Sequence, residues 1–508
     1  MDTIIHAIVL TIYLLIMLGI GAYFFKKSKN QSDYFLGGRN LNPWVASMSA
    51  QSSDMSGWLL MGLPGTAFLL TYKNGIAEAF WTALGLGIGT YLNWLFLAKR
   101  LRKYSEHSND AITIPTYLEN RFRDKTHLIK IISALFIVIF FLIYTAAQFS
   151  AGAKLFNAVF GLEYLPALII GAVVIVSYTF LGGFLAVCWT DLFQGILMFF
   201  AIIAMPIIVV IKLGGPNETF ALAGSLANLS KGLGIKDWTG IGSMGALGII
   251  STAAWGLGYF GQPHILSRFM GIRHSDDIKP ARRIAMVWVT FSLAAAVILG
   301  VVGKAYMSTL VSSDALGLLD GEKVFIYMVQ NILKGPGLAI IAGILLTAIL
   351  AAIMSTADSQ LLVTSSAISE DICKNIFKNL DDKKLILISR ISVVTVAVIA
   401  VFIASNPDSS VFDLVAYAWA GFGAAFGPAI LMSLYWKRMN WQGTLAGILS
   451  GGTMVIVWRT FIKKYFDLYE ILPAFAVSVI MIILVSLITN KPGEEIEKEF
   501  DGFLKTDM

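Results

Sequence analysis

The segment "SSDMSGWLLMGLPG", residues 52–65, places an aspartate, three serines, three glycines and a proline inside a long apolar stretch. The interior of a bilayer supplies no water, so an opened helix or an ionised side chain is tolerated there only when protein encloses it. Glycine and proline open a helix, and the aspartate, Asp54, needs a polar partner. The segment therefore predicts a broken membrane helix that lines a cavity. The alternative is an aspartate that reaches the water interface.

The whole chain has the composition of a membrane protein. Its 508 residues are 57% hydrophobic and 14% charged, whereas soluble domains carry roughly a quarter charged residues. We predict an all-α polytopic membrane protein of the cell membrane, surrounded by lipid. The net charge of +6 is scattered between apolar stretches. That pattern is typical of cytoplasmic loops and does not indicate nucleic-acid binding.

Thirteen apolar stretches are long enough to cross a bilayer, because a membrane helix needs about 20 apolar residues. They lie near 4–25, 43–71, 75–98, 127–157, 164–184, 189–211, 242–268, 284–308, 336–369, 385–405, 411–436, 441–461 and 470–489. The first lacks a basic n-region and a cleavage site, so we predict that it is retained. Residues 1–490 then form one transmembrane domain, with a short surface helix at 321–334 and a loose, polar cytoplasmic tail at 491–508.

The basic residues predict the orientation of the chain. With the N-terminus outside and the C-terminus inside, 26 of the 38 Lys and Arg residues fall on the cytoplasmic side, 11 fall on the other, and Arg390 lies within a span. Cytoplasmic loops carry an excess of Lys and Arg, so this orientation is favoured.

The seventh predicted span is interrupted in the same way as the second. It contains "WGLGYFGQPH", residues 255–264, and lies five spans later, so it crosses in the opposite direction. Interrupted helices at matching places in two halves are typical of transporters with inverted repeats. We predict repeats at 43–211 and 242–436, with the binding site where the two helices break. Glycines that serve only helix packing are the alternative.

The ninth predicted span carries a second polar cluster, "STADSQ", at 355–360. Ser355, Asp358 and Ser359 share one helix face, and Thr356 adjoins Ser355. Hydroxyl and carbonyl oxygens suit a hard cation such as sodium, and the aspartate would add charge. The alternative is that the hydroxyls bond to carbonyls of their own helix.

Three further positions are candidates for function. Trp255 and Tyr259 lie one helical turn apart just before the second break, where they would wall a small apolar ring or a cation, or else pack between helices. Asp191 opens the sixth span and either serves an ion path or complements the helix dipole. His264 is interpreted as a packed histidine.

The sequence has no nucleophile–base pair, nucleotide-binding loop or zinc spacing, so it indicates neither an enzyme nor a nucleotide-driven pump.

Five segments, in order and over nearly the whole chain, resemble the sodium:solute symporter family. They are "DYFLGGRNL" (33–41), "SDMSGWLLMGLPG" (53–65), "SYTFLGGFLAVCWTD" (177–191), "WGLGYFGQPHI" (255–265) and "AAIMSTADSQLLVTSSA" (351–367). The last two are the most specific, and the run from residue 255 resembles the proline branch of the family rather than the sugar branch. The resemblance implies a LeuT-like fold, with inverted repeats formed by spans two to six and seven to eleven.

The resemblance also implies roles for individual residues. The family's sodium ligands correspond to the carbonyls of Ser52, Met55 and Ala352 and the hydroxyls of Ser355 and Thr356. Asp54 corresponds to an aspartate needed for sodium coupling, and Asp191 to one on the cytoplasmic ion path. Asp358 departs from the proline branch and leaves open a second cation site or a structural role. The implied substrate residues are Gly57, Trp58, Tyr144, Trp255, Tyr259 and Pro263.

The leading hypothesis is therefore sodium-coupled import of L-proline by alternating access, with sodium as the co-transported ion. Uptake of another small solute, such as a monocarboxylate, a choline-like cation or another amino acid, is the alternative within the same class. A sensory or channel-like membrane module is the alternative from a different class. The sequence leaves the oligomeric state and the number of sodium ions open.

Overall fold

The structure, a computed structural model, describes residues 1–25, 31–69, 76–179, 183–228, 244–377 and 380–507. Several sequence predictions extend beyond these ranges: the end of the second span at 71, the start of the third at 75, the part of the fifth span and of the segment 177–191 at 180–182, the start of the seventh span and second repeat at 242, and the last residue of the tail. Those parts lie outside the described residues. Lys26, Lys27 and Lys29, the basic residues directly after the first span, also lie outside the described residues.

Within those ranges the chain is all-helical, apart from one isolated β-bridge between Leu41 and Ile272. The helices are α1 Asp2–Phe25, α2 Gln31–Leu36, α3 Pro43–Gly57, α4 Leu63–Phe68, α5 Ala77–Leu92, α6 Ala98–His107, α7 Ile114–Phe122, α8 Leu128–Phe160, α9 Tyr164–Thr179, α10 Phe184–Lys212, α11 Pro216–Asn228, α12 Ala246–Ala253, α13 Pro263–Gly271, α14 Ile278–Met307, α15 Ser313–Gly317, α16 Val324–Ile332, α17 Pro336–Ser366, α18 Lys374–Ile376, α19 Asp382–Ile403, α20 Val411–Tyr435, α21 Trp441–Val457, α22 Ile471–Ile488 and α23 Glu494–Asp507.

Ten helices of the described chain are long and apolar enough to cross a membrane. The other predicted spans correspond to shorter or interrupted helices: α9, the pair α3 and α4, and the pair α12 and α13. The prediction of an all-helical membrane protein is confirmed, and the count of thirteen stays a prediction. Interruption explains the two pairs, since a helix broken in the middle presents two short pieces in place of one long one. The helix α9 is continuous, and its predicted span runs into residues outside the described ranges.

The burial of the helices separates a core from a periphery. In the most apolar 18-residue stretch of each helix, 83% of the residues are buried in α20 and 72% in α17. The corresponding share is 28% in α1, α21 and α22. A helix that is apolar all round is buried by protein or faces lipid. The core therefore surrounds α17 and α20, and the first and last helices lie on the outside.

One end of the bundle, called here the tail face, carries α6, α7 and α23. Residues 491–508 were predicted to be loose, but Glu494–Asp507 form a docked helix. Phe500 and Phe503 are each only 3% exposed, and Phe503 stacks on Tyr104 of α6 at 4.5 Å between ring centroids. The prediction of a loose tail was wrong because two aromatic residues three positions apart give this polar helix an apolar face.

Arginine side chains close the tail face. The Nε of Arg39 donates to Asp110 at 2.7 Å, and its Nη1 donates to the carbonyl of Met270 at 2.7 Å. The amide of Leu41 donates to the carbonyl of Gly271 at 3.0 Å. The segment before α3 is thereby bonded to the end of α13.

The opposite end, called here the vestibule face, is held by a turn before α16. Glu322 accepts from the Nζ of Lys154 at 2.5 Å and from the amide of Phe412 at 2.9 Å. It thus joins α8 to the first turn of α20, where unpaired amides favour a negative charge. The predicted surface helix at 321–334 exists as α16, and its inner side is buried.

Candidate functional site

The first break lies at the end of α3. Ser56 has φ 52° and ψ −172°, a conformation that few residues other than glycine adopt. The backbone groups released there are satisfied by side chains: Gly57 N–H donates to Oε1 of Gln148 at 3.2 Å, and Trp58 N–H donates to Oγ of Ser56 at 3.1 Å. Side chains of Ser56, within the opening segment, and of Gln148 in α8 therefore stabilise the open helix, as membrane-buried backbone requires.

The second break has a different origin. After α12, residues Ala254–Gly261 form a 3-10 helix, Gln262 is extended, and Pro263 starts α13. A Cβ at Gly258 would lie 1.9 Å from Nε1 of Trp419, and one at Gly261 would lie 2.2 Å from the carbonyl oxygen of Phe422. The glycines are required because α20 approaches this segment too closely for any side chain.

Asp54 connects the two breaks. Its side chain is 5% exposed, and Oδ2 accepts a hydrogen bond from the Tyr259 hydroxyl at 2.6 Å. Its main-chain carbonyl accepts from the Tyr144 hydroxyl at 3.1 Å. The aspartate assigned to coupling thus contacts two of the residues assigned to the substrate.

A small cavity lies between the breaks. Among its lining side chains are Asp54, Trp58, Tyr144, Trp255, Tyr259 and Trp419. Its volume is about 10 Å³, enough for about one water. Four of the six predicted substrate residues line it. The other two are placed elsewhere: Gly57 faces Ala151 and Ile353, and Pro263 is buried at the start of α13.

Aromatic rings close this cavity toward the vestibule face. Trp255 lies 5.4 Å from Trp58, 5.3 Å from Phe412 and 5.3 Å from Tyr469 between ring centroids. Trp419 donates through Nε1 to the carbonyl of Trp255 at 2.8 Å. We call Trp58, Trp255 and Phe412 the aromatic plug.

The predicted sodium ligands come together where α3 meets α17. The carbonyl oxygen of Ser52 lies 2.9 Å from Oγ of Ser355 and 3.4 Å from Oγ1 of Thr356. Oγ of Ser355 is also 3.1 Å from the carbonyl oxygen of Ala352. Met55 lies one turn beyond Ser52, and its carbonyl accepts from an amide of the break. Four of the five predicted ligands therefore share one cluster of oxygens, the donor type that hard cations prefer.

A buried ion pair lies beside this cluster. Oδ2 of Asp191 accepts from Oγ of Ser49 at 2.6 Å and from Nη2 of Arg268 at 3.1 Å, and both charged side chains are 0% exposed. Oγ of Ser52 donates to the carbonyl of Asp191 at 3.0 Å. Asp191 therefore joins the ion pair to a predicted sodium ligand.

Arg268 was missed by sequence reasoning, which counted it among the loop charges. Besides Asp191, it donates to Ser49, to Ser359 and to the carbonyl of His264. It thereby ties α13 to α3, α10 and α17. The signal that could have found it is its position, one turn after His264 within the otherwise apolar "PHILSRFMG". Asp358, next to Ser359, is also buried.

The fold is similar to that of solved transporters. A Na+-coupled sialic acid symporter in a substrate-bound, outward-open state matches with a TM-score of 0.75 and 19% identity, covering 96% of this chain and 98% of that one. Mhp1, a nucleobase-cation-symport-1 family transporter, matches with a TM-score of 0.52 and 12% identity, covering 94% and 99%. The structure therefore has the same fold as these two proteins.

Sequence comparison identifies the family. Residues 34–451 match the profile of the sodium:solute symporter family. The osmoregulated proline transporter OpuE of Bacillus subtilis is 46% identical over 96% of this chain and 95% of its own length. The sodium/proline symporter of Escherichia coli is 46% identical over 96% and 94%. The high-affinity proline transporter PutP of Bacillus subtilis is 44% identical over 96% and 99%.

The chain belongs to the sodium:solute symporter family. The predictions of a multi-pass cell-membrane protein, of a transporter rather than an enzyme, and of sodium as the co-transported ion are thereby confirmed.

Proposed function

We propose that this protein imports L-proline together with sodium by alternating access. The substrate is supported by relatives named as proline transporters that match nearly the whole chain. The observation that carries the mechanism is the 2.6 Å bond between the Tyr259 hydroxyl and Asp54. This bond joins the wall of the substrate cavity to the carboxylate beside the sodium ligands. A displacement of Tyr259 by the substrate would therefore also displace Asp54, and the reverse.

Sodium would be held by the carbonyls of Ser52, Met55 and Ala352 and the hydroxyls of Ser355 and Thr356. The bonds that Ser355 and Thr356 now make to Ser52 would be replaced by contacts of the same oxygens with the ion. Such oxygens are supplied by a broken helix without unfolding it, which explains why the ion site lies beside the first break.

Proline would lie between the breaks, with its ring against Trp255 and Tyr259 and its charged groups toward the opened backbone and Asp54. Trp58 and Tyr144 would complete the wall, and Gly57 and Pro263 would shape it from the flanking backbone. The cavity of about 10 Å³ cannot hold an amino acid. The rings must therefore separate for proline to enter, which makes the aromatic plug the barrier on that side.

The sodium gradient is sufficient for accumulation. One sodium ion entering across 100 mV releases about 2.3 kcal/mol, and a tenfold concentration gradient adds about 1.4 kcal/mol. At one sodium per proline these terms sustain roughly a 500-fold gradient of proline. Asp191 and Asp358 would act on the ion path rather than on proline, since both are buried and neither lines the substrate cavity.

The topology follows from the same proposal. We infer thirteen spans, with the inverted repeats at 43–211 and 242–436, the N-terminus outside and the tail face in the cytoplasm. Two breaks that meet at one cavity support the repeats, because inverted repeats place their interrupted helices at a shared site. The vestibule face would then open to the outside.

Uptake into proteoliposomes tests the function. Labelled L-proline should accumulate with an inward sodium gradient and should not accumulate when sodium is replaced by potassium on both sides. A panel of unlabelled monocarboxylates, choline and other amino acids should compete less well than proline. Sodium-driven uptake of a competitor in place of proline would assign a different substrate and would still support sodium symport. Current without saturable uptake would indicate a channel.

A further inference from the structure

Helix α8 makes two hydrogen bonds to the first break. The Tyr144 hydroxyl donates to the main-chain carbonyl of Asp54 at 3.1 Å, and Oε1 of Gln148 accepts from the amide of Gly57 at 3.2 Å. Tyr144 and Gln148 are four positions apart and therefore lie on one face of α8. Because Tyr144 also lines the substrate cavity, Gln148 lies at the break and one helical turn from a cavity residue.

The two released amides of the break are satisfied in different ways. Trp58 N–H donates to Oγ of Ser56, two positions earlier, so this bond moves with the segment. Gly57 N–H has its partner, Gln148, 91 positions away on another helix. A buried amide without an acceptor is costly, so Gln148 must serve Gly57 whenever no ligand does. A ligand oxygen that reached Gly57 could replace Gln148 without unfolding the segment.

Only one of the two polar atoms of the Gln148 side chain is bonded. Gln148 is 0% exposed. Its Nε2, which carries two N–H donors, has no hydrogen-bond partner among the residues that the structure describes. Buried polar side-chain atoms nearly always have such a partner. Nε2 belongs to the same planar amide as Oε1, so a ligand acceptor placed at Gly57 would also be within reach of this free donor.

The surroundings of Gly57 favour a carboxylate as that ligand group. Gly57 precedes the continuous helical segment that ends at Phe68, and the unpaired amides at the start of a helix favour negative charge. The other neighbours are apolar: a Cβ at Gly57 would lie 3.1 Å from Cβ of Ala151 and 3.1 Å from Cγ1 of Ile353. Hydrogen bonds to an ionised acceptor are roughly twice as strong as neutral ones. A carboxylate should therefore displace the amide oxygen of Gln148.

We propose that Gln148 is a substrate-binding residue that recognises a carboxylate. Its Oε1 accepts from Gly57 N–H while no substrate is bound. When the substrate arrives, one carboxylate oxygen accepts from Gly57 N–H, and the Gln148 amide turns so that Nε2 donates to the other oxygen. Substrate arrival thereby releases this bond between α8 and the break. The identity of the carboxylate as that of proline rests on the proposed function, and the role of Gln148 rests on the bonds of its amide.

Gln148→Glu separates this role from a structural one. Glutamate has nearly the same shape, and its carboxylate accepts from Gly57 at least as well as the amide does. A residue that only satisfies the break would thus be replaced without loss. Under the proposal, the glutamate holds Gly57 with a fixed negative charge and repels the carboxylate of the ligand.

Equilibrium binding of L-proline to the purified full-length protein in nanodiscs, at saturating sodium, measures the effect. At pH 8 the affinity of Gln148→Glu should fall by about tenfold or more, because charged hydrogen bonds are the strong ones. The loss should be smaller at pH 6, since protonation of the glutamate removes the repulsion, whereas the native protein should bind alike at both pH values. Sodium binding measured without proline should not weaken.

The ligand chemistry is tested with L-prolinamide, which lacks the carboxylate. The native protein should bind it about tenfold more weakly than L-proline or worse, and this preference should be lost in Gln148→Glu. Gln148→Met removes the Nε2 donor and should reduce the preference about threefold or more. Gln330→Glu and Gln330→Met are the matched controls. Gln330 also bonds to another helix, through the carbonyl of Ala158 at 2.8 Å, and does not line the cavity, so both should keep the native preference.

A native preference for proline over prolinamide in both Gln148→Glu and Gln148→Met would overturn the proposal and leave Gln148 as a structural residue of the break. Equal losses of affinity for the two ligands in Gln148→Glu, with a lower melting temperature, would also overturn it.

Sodium-driven uptake by the native protein is measured first and decides the proposed function by itself. If sodium drives another carboxylate-bearing solute, the same comparison with that solute and its amide decides the role of Gln148. A sodium-driven substrate without a carboxylate would overturn the proposal together with the assignment of proline.

Discussion

The two breaks of the membrane helices reach similar shapes by different means. The break after Asp54 is polar: Ser56 adopts a positive φ, and side chains of Gln148 and Ser56 satisfy the released amides. The break before Pro263 is built from glycines pressed against α20. The first break supplies charged and oxygen-bearing groups, and the second supplies the shape of the cavity. Substitutions should therefore affect ion coupling at the first break and folding or substrate fit at the second.

The largest effect is expected at the second break. Gly258→Ala would place a Cβ 1.9 Å from Nε1 of Trp419, and since Trp419 is buried and bonded to Trp255, it has no room to move. We expect destabilisation of about 3 kcal/mol or more and loss of uptake, because overpacking of a rigid core is costly. Thermal unfolding of the purified protein measures it. Gly87→Ala is the control, because a Cβ there would meet nothing within 4 Å. A normal melting temperature for Gly258→Ala would show that close packing against α20 does not define the second break.

The next effect is expected at the first break. Asp54→Asn keeps the shape of the side chain and removes the charge that accepts from Tyr259. Proline accumulation driven by sodium should be abolished, with the protein still folded and inserted. Uptake with and without a sodium gradient measures it, beside gel filtration for folding. Normal sodium activation in this variant would show that the first break is structural, like the second.

Substrate affinity should depend on the aromatic wall. Trp255→Ala and Tyr259→Ala each remove contact area worth about 1–3 kcal/mol, which corresponds to roughly 5- to 150-fold weaker proline binding. Sodium binding without proline should change little in Trp255→Ala, whereas Tyr259→Ala also removes the donor to Asp54 and should affect it. Proline binding in the presence of saturating sodium gives the affinity, and normal affinity in both variants would favour a packing role for these rings.

Sodium affinity should depend on two hydroxyls. Ser355→Ala and Thr356→Ala each remove an oxygen beside the Ser52 carbonyl. We expect the sodium concentration for half-maximal uptake to rise about tenfold, the equivalent of one lost ligand of about 1.4 kcal/mol. The proline requirement at saturating sodium should be nearly unchanged. Thr364→Ala is a control, since Thr364 bonds only to the carbonyl of Gln360 in its own helix among the contacts of the described chain.

The smallest effect is expected far from both breaks, in the docked tail. Lys437 donates to Asp501 at 2.7 Å, and this bond raises the pKa of Lys437. A raised lysine pKa contributes stability at every pH below its unfolded value of about 10.4, so the contact should be constant between pH 6 and 8. The pair is exposed, and Lys437→Gln should shift the melting temperature by roughly 1 °C or less. A larger shift, measured by thermal unfolding, would show that the tail supports the core.

The sequence was sufficient for features that conflict with a lipid environment. Asp54, Ser355 and Thr356 stand out because polar groups in apolar helices need partners, and each has one in the structure: Tyr259 for Asp54, and the Ser52 carbonyl for the two hydroxyls. It was not sufficient for features that depend on which helices meet. The bond from Tyr259 to Asp54 joins residues 205 positions apart, and no local pattern predicts it.

Other residues were missed because they resemble ordinary ones. Phe412 and Trp419 are aromatic residues in an apolar helix, which most often only pack, and their position in the plug and the cavity comes from the close approach of α20. The helix of the tail was missed because its net composition is polar and only the spacing of Phe500 and Phe503 reveals an apolar face.

The buried pair of Arg268 and Asp191 has a consequence for how this sequence can change over generations. Removing one partner of a buried ion pair leaves an uncompensated charge and costs about 3–5 kcal/mol, whereas replacing both with neutral residues is often tolerated. A single change at either position should therefore be lost under selection. Because Asp191 is also proposed to act on the ion path, cells that carry Arg268→Leu and are forced to grow by means of this transporter should regain growth by changes that keep Asp191, and second changes at Asp191 itself would show that the pair is only structural. Revertants in which Asp191 is always intact would show that the aspartate is needed for more than its partner.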